Sequence, residues 1–90
     1  MSIDELRQEI DRLDGELLRM FNQRAQLALH IGAIKKERGL PIYDPSRERR
    51  IFERMREQNP GPLDNQAIVR LFERVIDESR RLERIMTHGE

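Results

Sequence analysis

The sequence has no cysteine, no tryptophan, one tyrosine, three phenylalanines and two histidines. Without cysteine, disulfides, thiolate zinc sites and cysteine nucleophiles are excluded together. His30 and His88 are too few and too far apart for a metal cluster, so no metal is expected. An excess of one charge is also missing, because 17 Lys+Arg meet 17 Asp+Glu. Nucleic-acid and membrane-surface binders need surplus cations to neutralise phosphates, so neither partner is expected. No stretch approaches the roughly 18 apolar residues of a membrane span. The start, Met1-Ser2-Ile3-Asp4-Glu5, is acidic and lacks an apolar signal-peptide core, and the expected location is the cytoplasm.

What is present is a chain of 90 residues, 38% charged and 37% hydrophobic, which predicts a single domain over residues 1–90. With so few large aromatics, a lone chain would have a thin core, and helices that bury their faces against a partner suit this composition. No period-two run suggests a strand. The fold class expected is all-α, with three helices per chain, one of them very long.

Ser2-Ile3-Asp4-Glu5 carries the S-x-x-E capping-box pattern and predicts a helix start at Ser2. Gly39 predicts its end near Arg38. Between them Ile3, Leu6, Ile10, Leu13, Leu17, Met20, Arg24, Leu27, Ile31 and Ile34 recur at alternating steps of three and four, a sustained heptad seam with one charged member. Asp44-Pro45 supplies an N-cap and a first-turn proline for a second helix to about Gln58, burying Ile51, Phe52 and Met55. Asn59-Pro60-Gly61-Pro62 stops it. A third helix follows Asp64, with Ile68, Leu71, Phe72, Val75, Ile76, Leu82 and Met86 on one side, and frays by His88-Gly89.

A first helix of about 37 residues rises roughly 55 Å, whereas a compact chain of this size has a radius of gyration near 12 Å. Such a helix cannot hide within its own chain. The simplest solution is an intertwined helical homodimer paired along the seam.

Polar residues on apolar faces are the candidates for chemistry. Arg24 could specify register or lay its stem along the core with its head in water. Lys35, eleven residues on, falls within about 20° of Arg24 on the same helix face, roughly 16 Å away. Ala25, Ala28 and Gly32 beside them form a small-residue strip that fits either a close helix contact or a ligand space. On the third helix Ser79 continues the apolar stripe and Glu83 lies one turn further. A carboxylate there must pair, neutralise or reach solvent, and a salt bridge to Arg24 or Lys35 is the structural alternative. Asp44, Arg47 and Glu48 occupy the first turn of the second helix, where most charges cap or are solvated. The remaining charges, including Arg49, Arg50, Arg54, Arg56 and Arg80, are expected on an ion-paired surface.

The segments Leu6-Arg7-Gln8-Glu9-Ile10-Asp11, Gln23-Arg24 with Leu27-Ala28, Ile31-Gly32 through Lys35, Asp44 to Arg49, and Leu71-Phe72 through Ser79 follow one another in order. In that order and spacing the chain resembles the all-helical chorismate mutases of the AroQ class over nearly its whole length. The resemblance implies a dimer whose long first helices pair antiparallel, with each active site taking one arginine, here Arg7, from the neighbouring chain. Arg7 and Arg24 lie 17 residues apart, about 25 Å along one helix, so they could meet at one small ligand only across two chains. Arg24, Lys35, Asp44, Arg47, Glu48, Ser79 and Glu83 are the local contributors that the resemblance implies.

The family rearranges chorismate to prephenate by a concerted Claisen reaction in phenylalanine and tyrosine biosynthesis, and no cofactor is expected. By the resemblance, Arg7 and Arg24 hold the two substrate carboxylates with help from Ser79. Lys35 serves the ether oxygen and a carboxylate. Glu48 and the Asp44 backbone take the ring hydroxyl, and Arg47 orients Glu48. The family carries Gln or Glu at position 83 as the second donor to the ether oxygen, and Glu83 must be protonated to donate. Lys35, Glu83 and Arg24 are therefore the expected catalytic groups. Rival readings are an isochorismate-pyruvate lyase on the same scaffold, a non-catalytic helical dimerisation or regulatory module, and a DNA binder suggested by Ser46-Arg47-Glu48-Arg49-Arg50, which the interspersed acids oppose.

Overall fold

The structure is a computed structural model that describes residues 1–88. The described residues form three helices, α1 (Ile3–Arg38), α2 (Pro45–Gln58) and α3 (Asn65–His88). The fraying expected at His88-Gly89 falls at the edge of this range, and Gly89 lies outside the described residues.

Each boundary has a local cause. Ser2 Oγ accepts from the Glu5 amide at 3.1 Å while the Glu5 carboxylate accepts from the Ser2 amide at 3.4 Å, a reciprocal capping box. At the other end Gly39 adopts the left-handed conformation with φ 67°, which a side chain would resist. The Leu40 amide then donates to the Lys35 carbonyl at 2.8 Å, closing the last turn, where Lys35, Lys36 and Arg38 complement the helix dipole. Asp44 caps α2 by accepting from the Arg47 amide at 3.1 Å. Asn59 holds the following connection together, its side-chain amide donating to the Leu63 carbonyl and to Asn65 Oδ1, each at 2.8 Å. Asp64 then accepts from the Ala67 amide at 2.7 Å and starts α3.

α3 packs against both α1 and α2. Its contacts with α1 advance in the same direction along both helices, from Arg24 with Ser79 to Gly32 with Glu83, so the two run parallel. Among the described residues the buried ones are few and mixed: Ile51 and Ile76 are apolar, Ser79 and Glu83 are polar, and Gly32 is backbone against a side chain. Phe52 and Met55 are only half-buried. On α3 the expected apolar stripe narrows, because Leu71 and Met86 remain 55% and 64% exposed while Ile76 is buried.

The chain is elongated, with extents of 54 × 25 × 17 Å and a radius of gyration of 16.1 Å, the long axis being α1 itself. The seam of α1 is uncovered: its nine apolar members, Ile3 through Ile34, are 44% to 67% exposed. The face of α1 that packs on α3 is instead the one carrying Ala25, Ala28, Leu29 and Gly32.

Candidate functional site

The site grows from the contact between the C-terminal half of α1 and the end of α3. Gly32 permits that contact to be close. A Cβ placed there would lie 3.2 Å from Glu83 Cγ and 3.5 Å from Glu83 Oε2. At Gly32 the small-residue strip is thus a helix contact that brings the Glu83 carboxylate against α1, while Ala28 of the same strip faces the pocket. One turn earlier on α3, buried Ser79 Oγ accepts a hydrogen bond from Arg24 Nη1 at 3.3 Å. Lys35 donates to the Ile42 carbonyl at 3.1 Å, tying the ammonium to the connection that leads into α2. That connection and the Asp44 cap present the first turn of α2 on the other side.

These elements enclose a pocket of about 440 Å³. Arg24, Lys35, Asp44, Arg47, Glu48, Ser79 and Glu83 all line it, and Leu27, Ala28, Ile31, Ile42, Ile51 and Ile76 supply its apolar wall. Arg7 does not line it; about 25 Å of helix separates Arg7 from Arg24. Leu27 and Ile31, 62% and 52% exposed, belong both to this wall and to the uncovered seam, so the pocket opens toward the seam.

Burial pushes the Arg24 guanidinium below its ordinary pKa, Arg47 pushes it further, Glu83 opposes, and Arg54 adds to the lowering. An arginine so placed stays charged. Its neighbourhood therefore holds more positive charge than its own carboxylates balance, and an anion entering the pocket is attracted. Arginine offers a planar fork to a carboxylate, Lys35 a mobile point charge, and Ser79 and Glu48 hydroxyl-sized hydrogen-bonding positions. Among the described residues no group of three or more His, Cys, Asp or Glu side chains is placed to share a metal ion. No helix of the described residues is long and apolar enough to cross a membrane.

Two features differ from the sequence reading. Arg80 was expected among solvated surface charges, yet it lines the pocket with its side chain only 20% exposed. It is Arg80, at 3.6 Å, that pairs with Glu48, whereas Arg47 is exposed and its amide serves the Asp44 cap. A signal for Arg80 exists in the sequence, because Ile76, Arg80 and Glu83 stand at i, i+4 and i+7 and share one helix face. The apolar wall carried no separate signal, since any core residue has the same pattern.

The chorismate mutase type II family matches residues 6–84 of this chain. A bifunctional chorismate mutase/prephenate dehydratase of Aquifex aeolicus is 43% identical over 86 residues, which is 91% of this chain and 24% of that relative. The chain thus spans about a quarter of the length of the bifunctional relatives it matches. Among solved structures, chorismate mutase (form II) from Thermus thermophilus superposes with a TM-score of 0.92 at 38% identity, covering 94% of this chain and 97% of that one. Chorismate mutase from Helicobacter pylori in complex with prephenate gives 0.83 at 34% identity, covering 90% and 88%.

Proposed function

The chain belongs to the chorismate mutase type II family, and from that premise we propose that residues 1–90 form one domain that converts chorismate to prephenate as a homodimer. The observation that carries the reading is the convergence of Arg24 and Lys35, two cations from one helix, on a pocket they share with buried Ser79 and Glu83. A dicarboxylate with an ether oxygen and a ring hydroxyl matches that set of groups.

The reaction is a single concerted step in which the ether carbon–oxygen bond breaks as a carbon–carbon bond forms, with no proton transferred overall. The protein therefore has two tasks. It must hold a flexible dianion in the compact reactive conformation, and it must stabilise the negative charge that builds on the ether oxygen. Arg24, steadied by Ser79, grips one carboxylate, and Arg7 of the partner subunit grips the other. Lys35 lies toward the ether oxygen and a carboxylate, with protonated Glu83 as the second donor to that oxygen. Glu48 and the Asp44 backbone take the ring hydroxyl. The apolar wall excludes water, which strengthens each of these interactions.

Support for the homodimer comes from surface arithmetic. The chain exposes 7247 Å², about 1,700 Å² more than the roughly 5,500 Å² of a compact chain of 10.8 kDa. The nine seam residues of α1, 44% to 67% exposed, belong to that surface, and a large isologous interface would cover them. The pocket's opening toward that seam is where a partner's arginine would enter.

The test is incubation of purified protein with chorismate, following loss of its ultraviolet absorbance and identifying prephenate by acid conversion to phenylpyruvate. Saturable prephenate formation is expected. Chorismate consumed no faster than its spontaneous rate by folded protein would refute the reading.

A further inference from the structure

We infer that Arg80 is a positioning residue for the proposed rearrangement: it sets the Glu48 carboxylate to receive the substrate's ring hydroxyl, and acts through Glu48 without touching substrate. The inference rests on the mutase reading and adds to it a residue outside the expected set.

The geometry points this way from three sides. Arg80 rises from α3 and its guanidinium is fixed before any ligand arrives. Nη2 meets Asp77 Oδ1 at 2.6 Å one turn back on the same helix. The guanidinium carbon sits 4.8 Å from the centre of the Tyr43 ring, in the connection between α1 and α2. Nη1 faces Glu48 Oε2 at 3.6 Å, on α2. One cation therefore joins three segments of chain that meet at the rim of the pocket. The Asp77 contact lies within α3, as do the exposed pairs Arg12–Glu9, Arg12–Glu16 and Arg74–Glu78 within their own helices, where such pairs contribute little; what sets Arg80 apart is that it also reaches Tyr43 and Glu48 on other segments. Arg80 and Glu48 are each only 20% exposed, so water screens their attraction less.

The separation from Glu48 matters as much as the contact. At 3.6 Å the pair is an electrostatic hold that lies beyond ordinary hydrogen-bond length. An ionised carboxylate has about four lone-pair positions. Arg80 thus restrains Glu48 while leaving its oxygens able to accept from a hydroxyl. Preorganisation of this kind is what a binding group supported by a second residue achieves. Arg47, the neighbour of Glu48 in sequence, is exposed and does not take this place.

The test compares two substrates, chorismate and its analogue with hydrogen in place of the ring hydroxyl. Arg80→Met keeps the stem and removes the charge. For chorismate it should lower kcat/KM about tenfold, the scale of coupling between residues in direct contact, while the analogue changes by less than about twofold. In a Glu48→Gln background Arg80→Met should add less than about twofold. Arg80→Lys, which restores a point charge, should recover most of the loss. Should Arg80→Met lose its fold, Asp77→Asn frees the anchor with Arg80 still charged, and must produce the same substrate-dependent loss at smaller size. Equal losses on both substrates would mean that Arg80 either holds the helices together or grips a carboxylate directly, and would overturn the inference. Unchanged kinetics, or full additivity with Glu48→Gln, would overturn it as well. A wild-type protein inactive on chorismate overturns the mutase reading itself, whereas these outcomes with an active wild type overturn the role of Arg80 alone.

Discussion

Gly32→Ala isolates the contact on which the site is built. The added methyl would stand 3.2 Å from Glu83 Cγ, 3.4 Å from its Cβ and 3.5 Å from Oε2. Carbon atoms pack best at about 3.5–4.0 Å, so Glu83 or α3 must retreat by at least roughly 0.3 Å. Two opposing terms set the stability. Alanine is favoured over glycine in a helix interior by about 1 kcal/mol, and overpacking costs about 1–3 kcal/mol. The net loss should therefore stay below about 2 kcal/mol, and the thermal midpoint should fall by no more than about 15 °C. Activity should suffer more. A misplacement of about 1 Å can cost about 10²-fold in rate, so a retreat of a few tenths of an ångström should lower kcat/KM about threefold to tenfold. Paired melting curves and steady-state kinetics with chorismate decide the matter. A variant that is more stable than wild type and fully active, as expected of alanine at an uncrowded helical glycine, would refute the close approach of α1 and α3 as the device that places Glu83.

Three further outcomes follow from the same geometry. Arg24→Ala and Lys35→Ala should each lower turnover at least about 10²-fold, the usual cost of losing a preorganised electrostatic group, and near-wild-type turnover would remove that residue from the mechanism. Because Glu83 must carry a proton to donate to the ether oxygen, activity should be highest where it is protonated and fall as rising pH ionises it. Glu83→Gln, a donor at every pH, should flatten that profile, and a pH-independent wild-type rate through the acidic and neutral range would count against the assignment.

Much of the fold was legible because its signals are local. Ser2 with Glu5, Asp44 with Pro45, Gly39 and Asp64 each fix a boundary through a backbone hydrogen bond formed within a few residues. The length of α1 followed from an uninterrupted heptad pattern. Less legible was which face of α1 meets α3. The apolar seam is the stronger pattern, yet the chain's own packing uses the small-residue strip through Gly32, because only small side chains let Glu83 come so close. Leu71 and Met86 read as core on periodicity alone, which cannot tell a face covered by the same chain from one left bare. Arg80 was missed for a related reason. A charged residue in a charged helix looks solvated until Glu48 and Tyr43, distant in sequence, are seen to converge on it.

The central claim is that two chains share each site, and mixing inactive variants tests it most directly. Arg7→Ala and Arg24→Ala proteins, each nearly inactive as homodimers, are unfolded together, refolded, and assayed for prephenate. In a random mixture half of the dimers are mixed, and each mixed dimer keeps one of its two sites whole. The account predicts recovery of about a quarter of wild-type activity per chain. Activity no greater than the sum of the two separate variants, with the mixed dimer present, would contradict a site completed by Arg7 of the partner subunit.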